Sequence, residues 1–312
     1  MDEPKTLGAI EAGGTKFVCA LTDAAGTVLE QTKLETHASD DTFARMNSFF
    51  EQTAEAHGTP AAFGIASFGP IDIDPASPDY GRFLRTPKPS WQGARYGDAL
   101  GHFGVPMMIE TDVNGAGLGE WAKGAGQGCD TLAYVTVGTG IGGGVLQNGV
   151  PLNGFGHFEM GHIRVSHDRA RDPYAGRCPF HGDCLEGLAA GPAILDRWKS
   201  DLSKLGPQHG GLLLEADYLA QLTSTIVLFH MPDRIILGGG VMKTPGLMQA
   251  VRSRTSALLA GYVAGDRLEG DLTDYIVPPA LGDDAGLTGA IMLAQRAAAQ
   301  AGRSPYLAAG DR

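Results

Sequence analysis

Four side chains able to hold a metal ion stand close together in this chain. Cys178, His181 and Cys184 are each three residues from the next, and His162 closes the segment Glu159-Met160-Gly161-His162. Thiolate and imidazole donors at that spacing, in a short turn carrying Pro179 and Gly182, can converge on one ion, with His162 as the fourth corner. Tetrahedral sulfur and nitrogen ligation is what zinc prefers, and a site closed by four protein ligands is structural rather than catalytic. The competing reading is two unrelated cysteines beside solvent-facing histidines, against which the repeated three-residue spacing argues. Two carboxylates, Glu159 and Glu186, flank the group.

Glycine-rich turns offer a second kind of chemistry. In Glu11-Ala12-Gly13-Gly14-Thr15-Lys16 small residues between two strand-like runs let the backbone approach an oxygen-rich ligand, and Lys16 can meet a phosphate as a point charge. Gly138-Thr139-Gly140-Ile141-Gly142-Gly143-Gly144 repeats the arrangement, with the Thr139 hydroxyl added, and Gly238-Gly239-Gly240 ends a strand before a helix. None is followed by the Gly-Lys-Ser/Thr of a Walker loop. Singly each reads as a plain tight turn; at matching positions of two halves they read as a phosphate cleft. The candidate nucleotide contacts are Gly13, Gly14, Thr15, Lys16, Gly138, Thr139, Gly140, Gly142, Gly191, Pro192, Gly238, Gly239 and Gly240.

These residues need a scaffold, and composition bounds it. A length of 312 residues with 43% hydrophobic content supports two ordinary domains, each with its own core. The net charge of -11, with no Lys- or Arg-rich run, disfavours nucleic acid as a partner. A small anion is still accommodated, because backbone N–H groups bind phosphate locally. The apolar segment Leu219 to Met231 is short and polar-interrupted, and no basic-plus-apolar leader precedes Leu7, so the expectation is a cytoplasmic protein with no membrane partner. Cys19 and Cys129 stand singly in apolar surroundings, which argues against a disulfide framework.

Strand-like runs at Leu7 to Ile10, Phe17 to Thr22 and Val28 to Lys33 form a meander joined by turn sequences. A helix is expected from Thr42 to Ala56, then a strand at Ala61 to Ser67, irregular chain from Gly69 to Trp91, a helix at Tyr96 to Phe103 and a strand at Pro106 to Glu110. The pattern begins again with strands at Leu132 to Val137 and Gly142 to Gln147 and the hairpin signal Asn148-Gly149. Helices at Ala190 to Lys204, Leu212 to Phe229, Gly246 to Tyr262 and Ala285 to Ala299 follow, with strands at Arg234 to Leu237 and Tyr275 to Val277 between them. Each half is a β-meander followed by β/α units, an α/β arrangement that places ligands at the carboxyl ends of strands, in the cleft between two similar domains.

Taken in order, Ile10-Glu11-Ala12-Gly13-Gly14-Thr15-Lys16, Glu110-Thr111-Asp112-Val113-Asn114, Val137 to Gly144, Glu159-x-Gly161-His162 and the cysteine loop resemble the ROK-type sugar kinases, and their fructokinase branch in particular. The match runs to Gly286 and Gly289 in the last expected helix. It implies an actin-like ATPase (ribonuclease H-like) fold, with two similar domains of mixed five-stranded sheets around a cleft. One domain is expected over residues 1–113 plus 288–312, the other, with the zinc loop, over 114–287. ATP, Mg2+ and a structural Zn2+ are the implied cofactors, a hexose the partner and a homodimer the assembly.

Within that resemblance Asp112 is the candidate base that takes the sugar hydroxyl proton; on sequence alone it is equally an N-cap aspartate. Glu159, His162 and Glu186, with Asp112 and Thr111, are the implied sugar contacts, since a carboxylate accepts two hydroxyl hydrogen bonds from a polyol. Surface exposure is the plainer reading of the two glutamates. His162 is expected to bind zinc through one ring nitrogen and a sugar hydroxyl through the other. Thr111 stands where glucokinase-like relatives carry asparagine, Thr86-Pro87-Lys88-Pro89-Ser90-Trp91 resembles the fructokinase form, and Glu11 replaces the aspartate of the wider superfold. The expected reaction is phosphorylation of the 6-hydroxyl of fructose. A kinase for glucose, mannose or an N-acetyl hexosamine shares every catalytic element. A sugar-sensing regulator is the alternative of another class, against which the start of strand sequence at Leu7 and the acidic charge argue.

Overall fold

The computed structural model describes residues 6–206 and 209–301; the ends of the expected first domain, residues 1–5 and 302–312, lie outside them. In chain order the strands and helices are β1 (Leu7–Ala12), β2 (Lys16–Thr22), β3 (Val28–Glu35), α1 (Ser39–His57), β4 (Phe63–Ser67), α2 (Tyr96–Leu100), β5 (Met107–Thr111) and α3 (Asp112–Lys123). The second series comprises β6 (Thr131–Val137), β7 (Ile141–Gln147), β8 (Val150–Pro151), α4 (Leu185–Ala189), α5 (Gly191–Trp198), α6 (Gly211–His230), β9 (Arg234–Gly238), α7 (Leu247–Leu259), β10 (Ile276–Val277) and α8 (Ala285–Ala301). Two compact units result, with the chain passing from one to the other between Gly119 and Glu120 and returning between Gly282 and Asp283.

The two sheets have one topology written twice. The first runs β3-β2-β1-β4-β5, the second β10-β9-β6-β7-β8. In each, a three-stranded antiparallel meander is extended on the side of its first strand by two parallel strands. β1 is buried almost throughout, as an apolar central strand covered on both faces must be, whereas β3 carries Glu30, Lys33 and Glu35 and forms a charged edge.

In the first unit an aromatic cluster packs around Trp91. The rings of Phe43, Phe68 and Phe83 lie 5.3, 5.0 and 4.9 Å from it, within the range where edge and tilted contacts stabilise. The indole N–H donates to the His37 carbonyl at 2.8 Å, anchoring the otherwise irregular Thr86-to-Trp91 segment. Behind the sheet, α3 and α8 cross with their backbones in contact: a Cβ on Gly289 would lie 1.8 Å from the Gly115 carbonyl oxygen.

Three expectations are revised. The helix expected from Tyr96 to Phe103 is α2 followed by a single 3-10 turn, Gly101–Phe103. That expected from Ala190 to Lys204 is α5 and a 3-10 turn, Leu202–Lys204, because Lys199 adopts a left-handed conformation (φ 55°) that stops α5. Apolar sequence also extends further than Leu219 to Met231: α6 is long and apolar enough to cross a membrane by length and composition. More than half of that helix is buried, and its Tyr218, Leu219, Leu222 and Ile226 belong to the second unit's core.

Substituting Gly289→Ala should lower the urea midpoint of the first unit by the equivalent of about 2 kcal/mol or more, the cost of overpacking a closed contact. An unchanged midpoint would show that α3 and α8 do not meet there.

Candidate functional site

The second unit brings the four predicted metal ligands together. Their donor atoms all lie within 4.8 Å of one another, and both sulfurs belong to buried residues. His162 Nδ1 is 3.5 Å from Cys184 Sγ and 3.7 Å from Cys178 Sγ, and His181 Nδ1 is 3.6 Å from Cys178 Sγ. Zinc holding sulfur at about 2.3 Å and nitrogen at about 2.1 Å at tetrahedral angles separates such ligands by roughly 3.6 Å, so the donors fit that ion. Burial pushes the Cys184 thiol up to about 11, and a bound cation is what would make it a thiolate at neutral pH. The loop is folded by paired backbone bonds between Cys178 and Gly182. Asp183 gathers its flanks, accepting from Arg164 at 2.7 Å and Arg169 at 2.6 Å. A hydrogen bond with His167 is the main reason its carboxyl titrates below the ordinary value.

His162 turns its other nitrogen to the two glutamates. Nε2 is 3.9 Å from Glu159 Oε2 and 3.9 Å from Glu186 Oε1. Both carboxylates are partly exposed, at 48% and 27%, which leaves them reachable by a small polar ligand. Glu186 is fixed from behind, its Oε2 accepting the Ile141 N–H at 2.9 Å. Glu159 has a neighbour that the sequence did not single out: His157, whose side chain is nearly buried, places Nδ1 3.5 Å from Glu159 Oε1.

The same unit gathers three of the glycine segments. The Gly138 carbonyl accepts the Gly191 N–H at 2.8 Å, at the start of α5, where Pro192 occupies the first turn. Gly239 has φ +95° and packs so close to Val137 that an added Cβ would lie 2.3 Å from the Val137 carbonyl oxygen. The turn at Gly138 to Ile141 is therefore bracketed by Gly191-Pro192 and Gly238-Gly239-Gly240. Thr139 is exposed and Gly142 lies within β7. Backbone N–H groups clustered at such turns and at a helix start form an anion-binding surface.

The first unit holds the remaining candidates. Gly13 N–H donates to the Lys16 carbonyl at 2.9 Å, closing a tight turn whose Thr15 and Lys16 are exposed. The Lys88 ammonium donates to the Gly14 carbonyl, bringing a second cation to that turn. Thr111 ends β5, and its hydroxyl accepts the Asn114 N–H at 3.1 Å. The capping role thus falls to Thr111, which is buried, and not to Asp112. Asp112 is the first residue of α3, with Oδ1 accepting the Val113 N–H at 2.9 Å. Glu11 Oε2 is buried without a hydrogen-bond partner. Burial, opposed by Lys16 and reinforced by Asp112, Asp283 and Asp284, pushes the Glu11 carboxyl up to about 7. An orphaned acid oxygen among further carboxylates fits a hydrated divalent cation. Asp283 and Asp284 were missed in the sequence, although Gly282-Asp283-Asp284 immediately before α8 is a readable helix-start signal.

A doubled β-meander with β/α extensions, carrying glycine turns in both units and a His/Cys cluster beside two acids in one, defines an actin-like ATPase fold with a small-molecule site. A family model described as the ROK family matches residues 7–297, and the chain belongs to that family. It is 42% identical over 298 residues to a fructokinase of Zymomonas mobilis, covering 94% of this chain and 97% of the relative. It is 39% identical over 295 residues to a fructokinase of Pediococcus pentosaceus, covering 93% and 98%. Among solved structures, a ROK hexokinase from Thermus thermophilus superimposes with a TM-score of 0.74 at 25% identity, covering 95% of this chain and 99% of that one.

Two measurements check the geometry. Purified protein should contain about one zinc per chain by elemental analysis, and Cys184→Ser should lose most of it; full zinc content in that variant would remove Cys184 from the ligand set. The second concerns Glu11, whose folded-state pKa of about 7 lies above its ordinary 4.5. The stability carried by its proton is complete below that ordinary value and is lost as pH rises through the folded one. In chelator, Glu11→Gln should therefore gain Tm relative to wild type as pH rises from about 4.5 to about 7, and hold that gain above it. A constant difference across that window would show that Glu11 is not protonated in the fold.

Proposed function

We propose that this protein is an ATP-dependent hexose kinase that phosphorylates the 6-hydroxyl of fructose. The observation that carries the reading is His162, with one nitrogen among zinc-fitting donors and the other between Glu159 and Glu186. Such an array presents a rigid imidazole and two acids to a ring of hydroxyls. Relatives at 42% and 39% identity over almost their whole length bear the name fructokinase, which supports fructose over other hexoses.

In this reading Glu159, Glu186 and His162 Nε2 hold sugar hydroxyls and orient the 6-hydroxyl. Asp112 takes its proton as the oxygen forms a bond to the γ-phosphorus; the bond from that phosphorus to the β,γ-bridging oxygen breaks, and ADP leaves with the electron pair. The proton then passes from Asp112 to solvent. Thr111 serves this step by starting α3, which places Asp112 directly after β5, with Oδ1 accepting the Val113 N–H. The turns at Gly138, Gly191 and Gly239 receive the phosphates, with Lys16 and Lys88 supplying positive charge at the Gly13-Gly14 turn. Glu11, with Asp283 and Asp284, would hold Mg2+, which would supply positive charge to offset that of the phosphates. Zinc would hold the loop that carries His162 and Glu186 in shape. We further infer a cytoplasmic enzyme and a homodimer. The domains proposed are those of the sequence, with the zinc loop in the second.

The test is ADP release across a panel of hexoses, with fructose giving the highest kcat/KM; release with none of them would end the reading. Asp112→Asn should cut turnover on the order of 100-fold or more while nucleotide affinity holds. Ordinary turnover in that variant would take Asp112 out of the mechanism.

A further inference from the structure

We propose that the hydrogen bond from Ile141 N–H to Glu186 couples hexose binding to nucleotide binding, and that Gly140 is the positioning residue that makes the bond possible. The inference rests on the hexose-kinase reading of this same site. Glu186 has two oxygens in two settings: Oε1 faces His162 Nε2 at 3.9 Å, on the side assigned to the sugar, and Oε2 accepts from Ile141 at 2.9 Å. Ile141 is the last residue of the glycine turn assigned to phosphate. One carboxylate therefore belongs to both ligand surfaces.

The turn is built for this. Gly138 N–H donates to the Gly140 carbonyl at 2.8 Å, which folds the turn on itself, and the Gly138 carbonyl accepts the Gly191 N–H at 2.8 Å, which ties it to α5. The Ile141 amide is consequently spent on Glu186, while the clustered turn amides around it serve an anion. A Cβ on Gly140 would stand 2.7 Å from Glu186 Oε2, so any other residue at 140 displaces the carboxylate. Gly140 is not among the residues with positive φ, and alanine is compatible with its backbone. Its requirement for glycine comes from the carboxylate and not from the turn.

Coupling follows from shared order. A phosphate seated on the turn holds its backbone, and through Ile141 the rotamer of Glu186, so the sugar meets an acid already in place. A sugar bound to Oε1 fixes Glu186 and, through Oε2, the turn. Each ligand spares the other part of an ordering cost, and the factor must be the same in both directions.

Calorimetric titration of the full chain with fructose and with Mg2+ and a non-hydrolysable ATP analogue tests this. In wild type each ligand should tighten the other by about 5-fold or more, the usual scale of such coupling. Gly140→Ala should reduce that factor to within about twofold of unity, whatever it does to either affinity alone. Glu186→Ala approaches the bond from the other side and leaves the turn intact. Its nucleotide Kd should be the same with and without saturating fructose. A stability loss alone would not move a ratio of affinities. Full wild-type coupling in either variant, or fructose binding without coupling in wild type, overturns the inference and leaves the hexose reading standing. Failure of wild type to bind any hexose overturns the reading itself.

Discussion

An imidazole ring carries its two nitrogens in fixed relation, so fixing one aims the other. His162 is held on its Nδ1 side by two buried sulfurs at 3.5 and 3.7 Å, and Nε2 is thereby directed between Glu159 and Glu186. The rest of the second unit's site can be read outward from that ring. The hairpin of Cys178 and Gly182 and the Asp183 hub exist to bring thiols to Nδ1, and α4 begins at Leu185 so that Glu186 arrives on the Nε2 side. A flexible side chain in this place would lose several rotamers on binding each ligand; a clamped ring loses almost none.

A different constraint governs the first unit, where charge rather than metal ligation sets the terms. Glu11 lies against Gly286 of α8, close enough that no other residue at 286 leaves room for its carboxylate. Burial there disfavours the ionised form, and the acids at Asp112, Asp283 and Asp284 disfavour it further. The crossing of α3 and α8 is tied to chemistry because α8 carries both Gly289, which lets the helices meet, and Gly286, which leaves room for the acid.

A repeated strand topology accounts for the common logic of the two units. In both, the strand at the sheet's centre leads into a glycine turn of the meander, and a parallel strand follows beside it. The second unit carries the His/Cys cluster between β8 and α4, and the first carries the acid-rich turn before α8. The two copies thus share a scaffold and differ in what they present to a ligand.

Much of this was legible in the sequence because it depends on local pattern. Continuous apolar runs and glycine turns located β1 to β7 and β9 nearly to the residue, the repeated meander showed the two similar halves, and the Cys178-His181-Cys184 spacing pointed to the side-chain cluster that the fold brings together. Spacing of that kind is short-range, and backbone geometry alone brings such residues together. What depended on long-range packing was not legible. Nothing near Ala190 in the sequence shows that Lys199 ends α5 by turning left-handed, that Thr111 rather than Asp112 caps α3, or that Glu186 borrows an amide from Ile141 far away in the chain. Residue types and their order determined the chemistry available to this protein; the tertiary structure decided how each acid is buried and held, because burial and hydrogen-bond partners come from segments distant in sequence.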